Sequence, residues 1–527
     1  MQRGPVLVLV GLLLAAAAWV RDDDGTDVAA DLATELVPAD LAPVASEEGS
    51  SSTWFCAGGT AAAGGAADHV VTVTNTAGST VAGTIQVFPV RAEPLAPVPI
   101  EVPAASSTSV RIGDLVAAEY AAAQVEVQEG PVVVHHEVTG PGSTDIARCA
   151  TRASATWYLP WGQTTLGSTL RLALFNPFPG DAVVDVTFDT EDGFRRPEAY
   201  QAMLVRSRQL VVLNVEEVVT RRQRVSAQVV ARSGRLVVDR VQTVTAGEAT
   251  AVEVGGGAPG AADAWYFPEG RVDPSAVEAF YVYNPSDRAA DVELTVLTGS
   301  NDPATQPEPF QIRLAPGAAS ELVLNREPRI AQPLVHATSV QASSDVPIVV
   351  ERLLASGPFS AVVAPDLAPA SASTYPAGID ASLGSPLLAT SWVTGPVPRA
   401  GAGALSVVSV LNPGGSGDVE VRVTGLDGAP VGEPTVLGAG QRAEVQVSGA
   451  SLVEADGPVV AGQLWVFPEP ASFATEPAVA WREEASVAEP VTSFAGGPVG
   501  GGAPTAPTAA PTESTVAPTE TTTSPTG

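Results

Sequence analysis

"LALFNPFPGDAVVDV", residues 172–186, returns as "FYVYNPSDRAADVEL" at residues 280–294 and as "SVVSVLNPGGSGDVEVRV" at residues 406–423. In the segment "AVVDVTFDT", Val184, Val186 and Phe188 fall on one side and Asp185 and Thr187 on the other if the chain is extended. Successive side chains of a strand point to opposite faces, so this alternation predicts antiparallel strands with one buried face. Asn-Pro then ends a strand. Pro has no N–H to continue the ladder, and Asn bonds its own backbone and starts the turn. Asn176, Asn284 and Asn412 are therefore read as strand-end turn residues, with ligand contact as the alternative.

The phrase sits inside a longer repeat. Upstream of each Asn lies an aromatic strand start: "TWYLPWG" at 156–162, "AWYFPEG" at 264–270 and "SWVTG" at 391–395. Trp157 precedes Asn176 by 19 residues, Trp265 precedes Asn284 by 19, and Trp392 precedes Asn412 by 20. A divergent copy comes first, with "TWFCAGG" at 53–59 and Asn75 at the strand end, where Thr76 replaces the Pro. Each copy closes on a similar strand: "GPVVVHHEV", "GRLVVDRV", "VPIVVERL" and "GPVVAGQL". Asp192-Gly193 and Asp427-Gly428 read as hairpin turns that need positive φ. Turn signals every 8 to 12 residues suit a sandwich.

The fold class expected is all-β: four tandem Ig-like β-sandwiches of seven or so strands, at residues 53–152, 153–262, 263–370 and 371–485. Strung end to end they would make a rod on the order of 120 to 160 Å long.

The flanks differ from the repeats. Residues 5–20 form an apolar run behind Arg3, followed by "RDDDG". This predicts an export segment, either a cleaved signal peptide or a signal anchor. Residues 21–52 read as a flexible acidic linker. Residues 486–527 read as a disordered Thr/Pro-rich tail with too few apolar groups to offset the entropy of ordering.

The chain carries a formal net charge of −31, and its 27 basic residues are all Arg. Such acidity repels phosphate backbones and argues against nucleic acid. Membrane contact is expected only through the N-terminal segment. The two cysteines, Cys56 and Cys149, exclude a disulfide-dense scaffold and a four-Cys zinc site. In an exported chain they most simply pair, with two buried thiols as the alternative.

Candidate chemistry is thin. His135 and His136 point to opposite faces of a strand, so they do not share one ion easily, and no metal or cofactor is expected. Asp239-Arg240 and Glu351-Arg352 recur at the last strand and read as interdomain or cross-strand ion pairs. "DTEDG" at 189–193 reads as a solvated hairpin rather than a calcium loop. Nucleophile elbow, phosphate loop, zincin and dinucleotide motifs are all missing, so no catalytic residues are assigned. Trp157, Tyr158, Trp265 and Tyr266 are either core plugs or glycan-stacking platforms.

The set "WYLPWG…LALFNP…VDVTF…DG…SRQLVVLN…VSAQVV…GRLVVDR" resembles a family of exported actinobacterial proteins known as domain of unknown function 5719. "WYFPEG" and "VPIVVER" are similar to the wording of tandem repeats in bacterial surface proteins. The resemblance implies secretion and a β-rich envelope protein, and implies no activity. The expected function is a non-catalytic extracellular cell-envelope scaffold or adhesion protein. The alternative is binding of cell-wall glycan through the aromatic strand starts. The expected partner is an envelope protein or a cell-wall polysaccharide.

Overall fold

The computed structural model describes residues 52–128, 130–300, 305–367, 375–396 and 403–481, all within one compact unit. The export segment, nearly all of the acidic linker and the Thr/Pro-rich tail lie outside the described residues. Among those described, no helix is long and apolar enough to cross a membrane.

The four repeats fold alike into two-sheet sandwiches, and the second shows the plan. Its strands run Thr156–Leu159, Ser168–Asn176, Ala182–Thr190, Met203–Val205, Gln209–Asn214, Val225–Ser233, Val237–Ala246 and Ala249–Gly256, with a short hairpin arm Gly193–Arg195 after the third. The first, third, fourth and sixth strands share one sheet, and the fifth, second, seventh and eighth lie in that order in the other. All pairings are antiparallel. The first and third repeats have the same strand order. In the fourth, the sixth and seventh strands merge into Ser451–Pro468, which serves both sheets.

Each sandwich has eight principal strands, not seven. The pairs second–fifth and third–sixth match those of an immunoglobulin sandwich. The first strand here lies beside the sixth, the seventh beside the second and the fourth beside the third, so these three have changed sheets relative to that fold. The eighth strand is added outside the seventh. In the third repeat it is Gly378–Leu383, paired with Val349–Ser356. The boundary expected between residues 370 and 371 therefore falls after Leu383. The intervening "PDLAPASASTYP" has the composition of a linker but lies within the repeat.

The alternation reads correctly onto the cores. Val184, Val186 and Phe188 are buried with Leu172, Leu174 and Trp157 in one cluster. Gly193 and Gly428 hold φ values of 92° and 79°, as the two Asp-Gly hairpins require.

The expected rod does not form. The eighth strands, Thr144–Arg148, Ala249–Gly256, Gly378–Leu383 and Ala471–Pro477, pack against one another in a closed cycle, the first touching the second and the fourth, and the third touching the same two. Ser143 Oγ donates to Val252 O at 3.2 Å across the seam of repeats 1 and 2. Asp380 accepts the N–H of Thr475 at 2.8 Å across that of repeats 3 and 4. Ser472 Oγ accepts the N–H of Thr144 at 2.9 Å and closes repeat 4 onto repeat 1. The physical reason is that the eighth strands are buried on both sides, which an end-to-end rod would leave wet.

Candidate functional site at the meeting of four repeats

Each eighth strand carries one acidic side chain into this junction: Asp145, Glu253, Asp380 and Glu476. All are buried or nearly so. The neighbouring seventh strands add Asp239, Arg240, Glu351 and Arg352, each buried.

Arg240 is the link between repeats 2 and 3. Its Nη2 binds Glu253 of its own repeat and Glu351 of the next, the latter at 2.7 Å, and its Nη1 donates to Trp161 O at 2.6 Å. Glu351 in turn accepts the N–H of Trp161 at 2.8 Å. The Trp161 ring lies 4.9 Å from the guanidinium carbon, a cation–π contact. Arg352 links repeats 3 and 4, binding Glu269 at 2.6 Å and donating to Thr475 Oγ1 at 2.6 Å. Arg148 pairs with Glu476 at 2.9 Å between repeats 1 and 4. The reading of Asp239-Arg240 and Glu351-Arg352 as interdomain ion pairs holds for Arg240 with Glu351.

Carboxylates outnumber guanidiniums here, and burial disfavours their charged form. Burial pushes Glu253 up to about 7 against the pull of Arg240, and Asp380 up to about 7 against that of Arg352. Asp145 is driven well above the usual range by burial and by the carboxylates of Asp380 and Glu253. Its Oδ2 accepts the N–H of Val254 at 2.7 Å, while Oδ1 accepts no hydrogen bond.

A second buried chain runs between repeats 1 and 2. Asp239 Oδ2 accepts the N–H groups of Ala57 and Gly58 at 2.6 and 2.9 Å and lies 3.8 Å from His136 Nε2. His136 Nδ1 is 3.3 Å from His69 Nε2, and His69 Nδ1 is 3.0 Å from Ala121 O. A carbonyl only accepts, so His69 carries its proton on Nδ1 and Nε2 is left to accept from His136. With Nε2 accepting, the His69 ring is neutral. Burial pulls His69 down to about 4, and desolvation likewise lowers His136. A Cβ at Gly59 would lie 2.4 Å from the His69 ring, which accounts for glycine there. His135 points the other way, toward Trp465 of repeat 4, with ring centroids 6.5 Å apart. His135 and His136 thus serve different seams, as opposite strand faces demand. Among the described residues no group of three His, Cys, Asp or Glu is placed to hold a metal ion.

A cavity of about 70 Å³ lies at this junction, with walls from all four repeats. Arg148, Arg152, Asp239 and Glu476 supply its charge, Trp54 and Trp157 its apolar walls, and Gly255–Gly257 a stretch without side chains.

The residues singled out in the sequence take structural places. Cys56 and Cys149 are joined, a bridge spanning 93 residues from the first strand of repeat 1 to its exit. Trp157 and Trp265 plug the cores of their own repeats at 2% and 0% exposure, and their Nε1–H groups donate to Leu236 O and Ile348 O, both at 2.7 Å. They are core plugs, with no face free for stacking on a sugar. Tyr158, one residue on, turns to the opposite face and packs 5.9 Å from Tyr283 of the following repeat. Tyr266 is half-buried, and its backbone bonds Ser385. Asp192 of the "DTEDG" hairpin pairs with Arg222 at 2.9 Å, and Asp189 pairs with Arg224 at 2.7 Å.

The four strand-end asparagines are fully buried. Each side-chain oxygen accepts an N–H two residues on, the turn that the sequence predicts. Each Nδ2 also donates to a carbonyl at the end of the fourth strand or just past it, a role that the sequence reading missed. The acids of the eighth strands were missed as well. Their signal is a single acid flanked by small or apolar residues, in "TDIA", "VEV", "IDA" and "TEP", recurring after each closing strand.

Residues 142–246 match the profile of a family of unknown function, DUF5719. The match covers the eighth strand of repeat 1 and repeat 2 up to its seventh, and there the resemblance read from the sequence is borne out. No curated protein matches the chain. Three solved structures show likeness at low scores. Thermotoga maritima 1070 is 16% identical at a TM-score of 0.18, over 24% of this chain and 94% of that one. The Anabaena sensory rhodopsin transducer is 23% identical at 0.14, over 18% and 95%. A tetra-tandem repeat from the extending region of a large adhesion protein is 15% identical at 0.10, over 83% and 100%.

Proposed function

We propose that the chain is a non-catalytic extracellular scaffold or adhesion protein of the cell envelope, in which the four sandwiches act as one platform rather than as a flexible string. One observation carries this reading: the eighth strands meet in a closed cycle, and the recurrent charged residues are spent on holding it, as in Arg240 with Glu253 and Glu351. The buried acids that would otherwise suggest general acid–base work are tied to backbone N–H groups and guanidiniums of neighbouring repeats. The Cys56–Cys149 bridge suits an oxidising compartment outside the cytosol. The expected partner is an envelope protein or a cell-wall polysaccharide, engaged by the outward strands and loops.

The test is retention of the purified full chain on two supports, solubilised envelope proteins and isolated cell-wall glycan. Saturable retention on either supports the platform reading. Retention on neither, or turnover of an envelope substrate by the chain, sinks it.

A further inference from the structure

The seam between repeats 1 and 4 differs from the other three, because it joins repeats that do not follow one another along the chain. No linker holds it. Its apolar part is Ile146 against Trp465, Phe467 and Ala474, with Val393 and Val479 of repeat 4 against the core of repeat 1. Its polar part is the pair of Arg148 with Glu476 at 2.9 Å and the two bonds between Thr144 and Ser472. On either side the sandwiches keep cores of their own, around Val71, Ile85 and Val125 in repeat 1 and Val408, Val421 and Val453 in repeat 4. The seam can therefore part without unfolding either one.

The strands at this seam are crowded with carboxyl groups. Thr144–Arg148 carries Asp145 and Arg148. It packs on Val132–Thr139, with His135, His136 and Glu137, on Ala249–Gly256, with Glu253, and on Ala471–Pro477, with Glu476. Ala471–Pro477 also packs on Gly378–Leu383, with Asp380, and on Ser451–Pro468, whose paired length from Gly462 to Pro468 carries no charge. Glu351 and Arg352 lie on the strand beside Asp380, and Arg152 and Asp239 line the adjoining cavity. Arg240 binds Glu253, Arg148 binds Glu476, and Arg352 reaches Asp380 through Thr475. Asp145 is held instead by the N–H of Val254, and its Oδ1 accepts no hydrogen bond. Burial raises Asp145, Asp380 and Glu476, and the carboxyls of Asp380 and Glu253 raise Asp145 further.

We propose that this seam is a pH-operated clasp, closed in mildly acid medium and parting as the pH rises through neutrality, so that the cycle of four sandwiches opens into a string while each stays folded. Once the seam parts, water reaches Glu476 directly and Asp145 and Asp380 beside it. Hydrated carboxyls ionise near pH 4. Between about pH 4 and pH 7 the closed form therefore holds protons that the open form has lost, and its advantage drains away across that window. His135 opposes this. Burial lowers it to about 3 beside Trp465, so it takes a proton on parting only below about pH 6.5. It is one group against three, and above that pH it has no effect. The clasp deepens the platform reading and rests on it for its use, since the platform is the closed form. What the platform binds does not enter.

The test is small-angle scattering of the full chain at fixed salt, stepped from about pH 4.5 to pH 9, with far-UV circular dichroism on the same samples. The radius of gyration should rise reversibly by roughly a fifth or more, because a string of sandwiches is longer than a compact set. The strand signal should stay constant. Thr144→Cys with Ser472→Cys, joined by a disulfide, should hold the acid value throughout, which assigns the rise to this seam. Asp145→Asn keeps an oxygen for the Val254 N–H and removes one titrating group, so its midpoint should lie about half a pH unit higher or more. Should that variant not fold, Asp380→Asn, which keeps an oxygen for the Thr475 N–H, takes its place with the same expectation. The proposal is overturned if the radius stays constant, or if it rises only with loss of the strand signal. It is overturned equally if the locking disulfide does not form, if the locked chain expands like the parent, or if the carboxamide leaves the midpoint unmoved. No ligand is present, so these outcomes are separate from retention on envelope protein or glycan, which tests the platform reading itself.

Discussion

Asn176 Nδ2 donates to Val205 O at 3.1 Å, and Asn75, Asn284 and Asn412 donate to carbonyls at or just past the end of the fourth strand of their own repeats. One side chain thus ends the second strand and ties it to the end of the fourth. In repeat 2 it also donates to Gly180 O at 2.8 Å and accepts from Phe178 N at 3.0 Å. Buried carbonyls left without donors each cost free energy, so Asn176→Ala should destabilise by about 2 to 4 kcal/mol. Asn176→Asp places a second oxygen against those carbonyls and should cost more at pH 7. Its carboxyl pKa would be raised, so the loss should shrink as the pH falls toward 4. Denaturant unfolding at the two pH values checks both. Losses close to zero in both variants at pH 7 would mean that the amide donor contributes nothing, since both lack it.

Closure predicts a cross-link that a rod forbids. Ser472 Oγ both accepts from Thr144 N at 2.9 Å and donates to Thr144 O at 3.1 Å, so repeats 1 and 4 touch at that point. Thr144→Cys with Ser472→Cys should form a disulfide under mild oxidation, read by mass spectrometry of a digest. A rod would hold those residues on the order of 100 Å apart and give none.

The native bridge should matter in the same place. Closing a loop of 93 residues is worth about 4 to 5 kcal/mol on the chain-entropy model. Cys149 lines the junction cavity and precedes Ala150, whose N–H and C=O pair with Phe55. The Cys56→Ser, Cys149→Ser double variant should therefore melt several degrees lower. An unchanged melting temperature would assign the seam entirely to non-covalent contacts.

Arg240→Met should leave Glu253 and Glu351 buried without a counter-ion. Removing one partner of such a set costs about 3 to 5 kcal/mol, much of it the penalty on the stranded charge. Adding Glu253→Gln should recover part of that loss, since one fewer charge is stranded. If the double variant is no more stable than Arg240→Met, the guanidinium's packing on Trp161 outweighs its charge.

The sequence made the sandwich count, the buried aromatics and the asparagine turns legible because each depends on local spacing. Alternation with period two names the buried face without knowledge of the partner sheet, and Asn-Pro names the strand end. The closed arrangement was not legible. It rests on the eighth strands, which are short and follow connections of unequal length, and in repeat 3 a Pro/Ala/Ser-rich stretch hides the strand behind the composition of a linker. The acids at the junction were also hidden, because Asp145, Glu253, Asp380 and Glu476 lie up to 331 residues apart and gain meaning only where four strands meet. The pairs Asp239-Arg240 and Glu351-Arg352 were visible as recurrent charges because they directly follow the closing valines.

Those buried groups set the pH dependence of folding, and the signs oppose one another. Burial raises the carboxyls of Asp145, Asp239, Glu253, Asp380 and Glu476, with Asp239 reaching about 7. Unfolded, such groups titrate near pH 4. Between about pH 4 and pH 7 the folded chain therefore holds protons that the unfolded chain has lost, so stability falls as the pH rises through that window. Burial lowers His69 to about 4 and His135 to about 3, and lowers His136 as well. Unfolded histidines take protons below about 6.5, so this contribution falls as the pH drops. Five raised carboxyls outnumber three lowered imidazoles across the shared window, and the carboxyl term should win there. Below about pH 4 the unfolded carboxyls are protonated too, the histidine penalty levels off as His69 and then His135 take protons in the fold, and Glu278, held low by His336 against the effect of burial, adds a loss of its own. Stability should therefore peak near pH 4 to 5 and be lower at pH 8 than at pH 5. Asp239→Asn should flatten the slope between pH 5 and 7, because it removes one titrating group while keeping an oxygen for the Ala57 and Gly58 N–H groups. Melting temperatures at half-unit steps check both expectations. A melting temperature that climbs steadily from pH 5 to pH 8 would mean that the junction carboxyls are ionised and held by their guanidiniums.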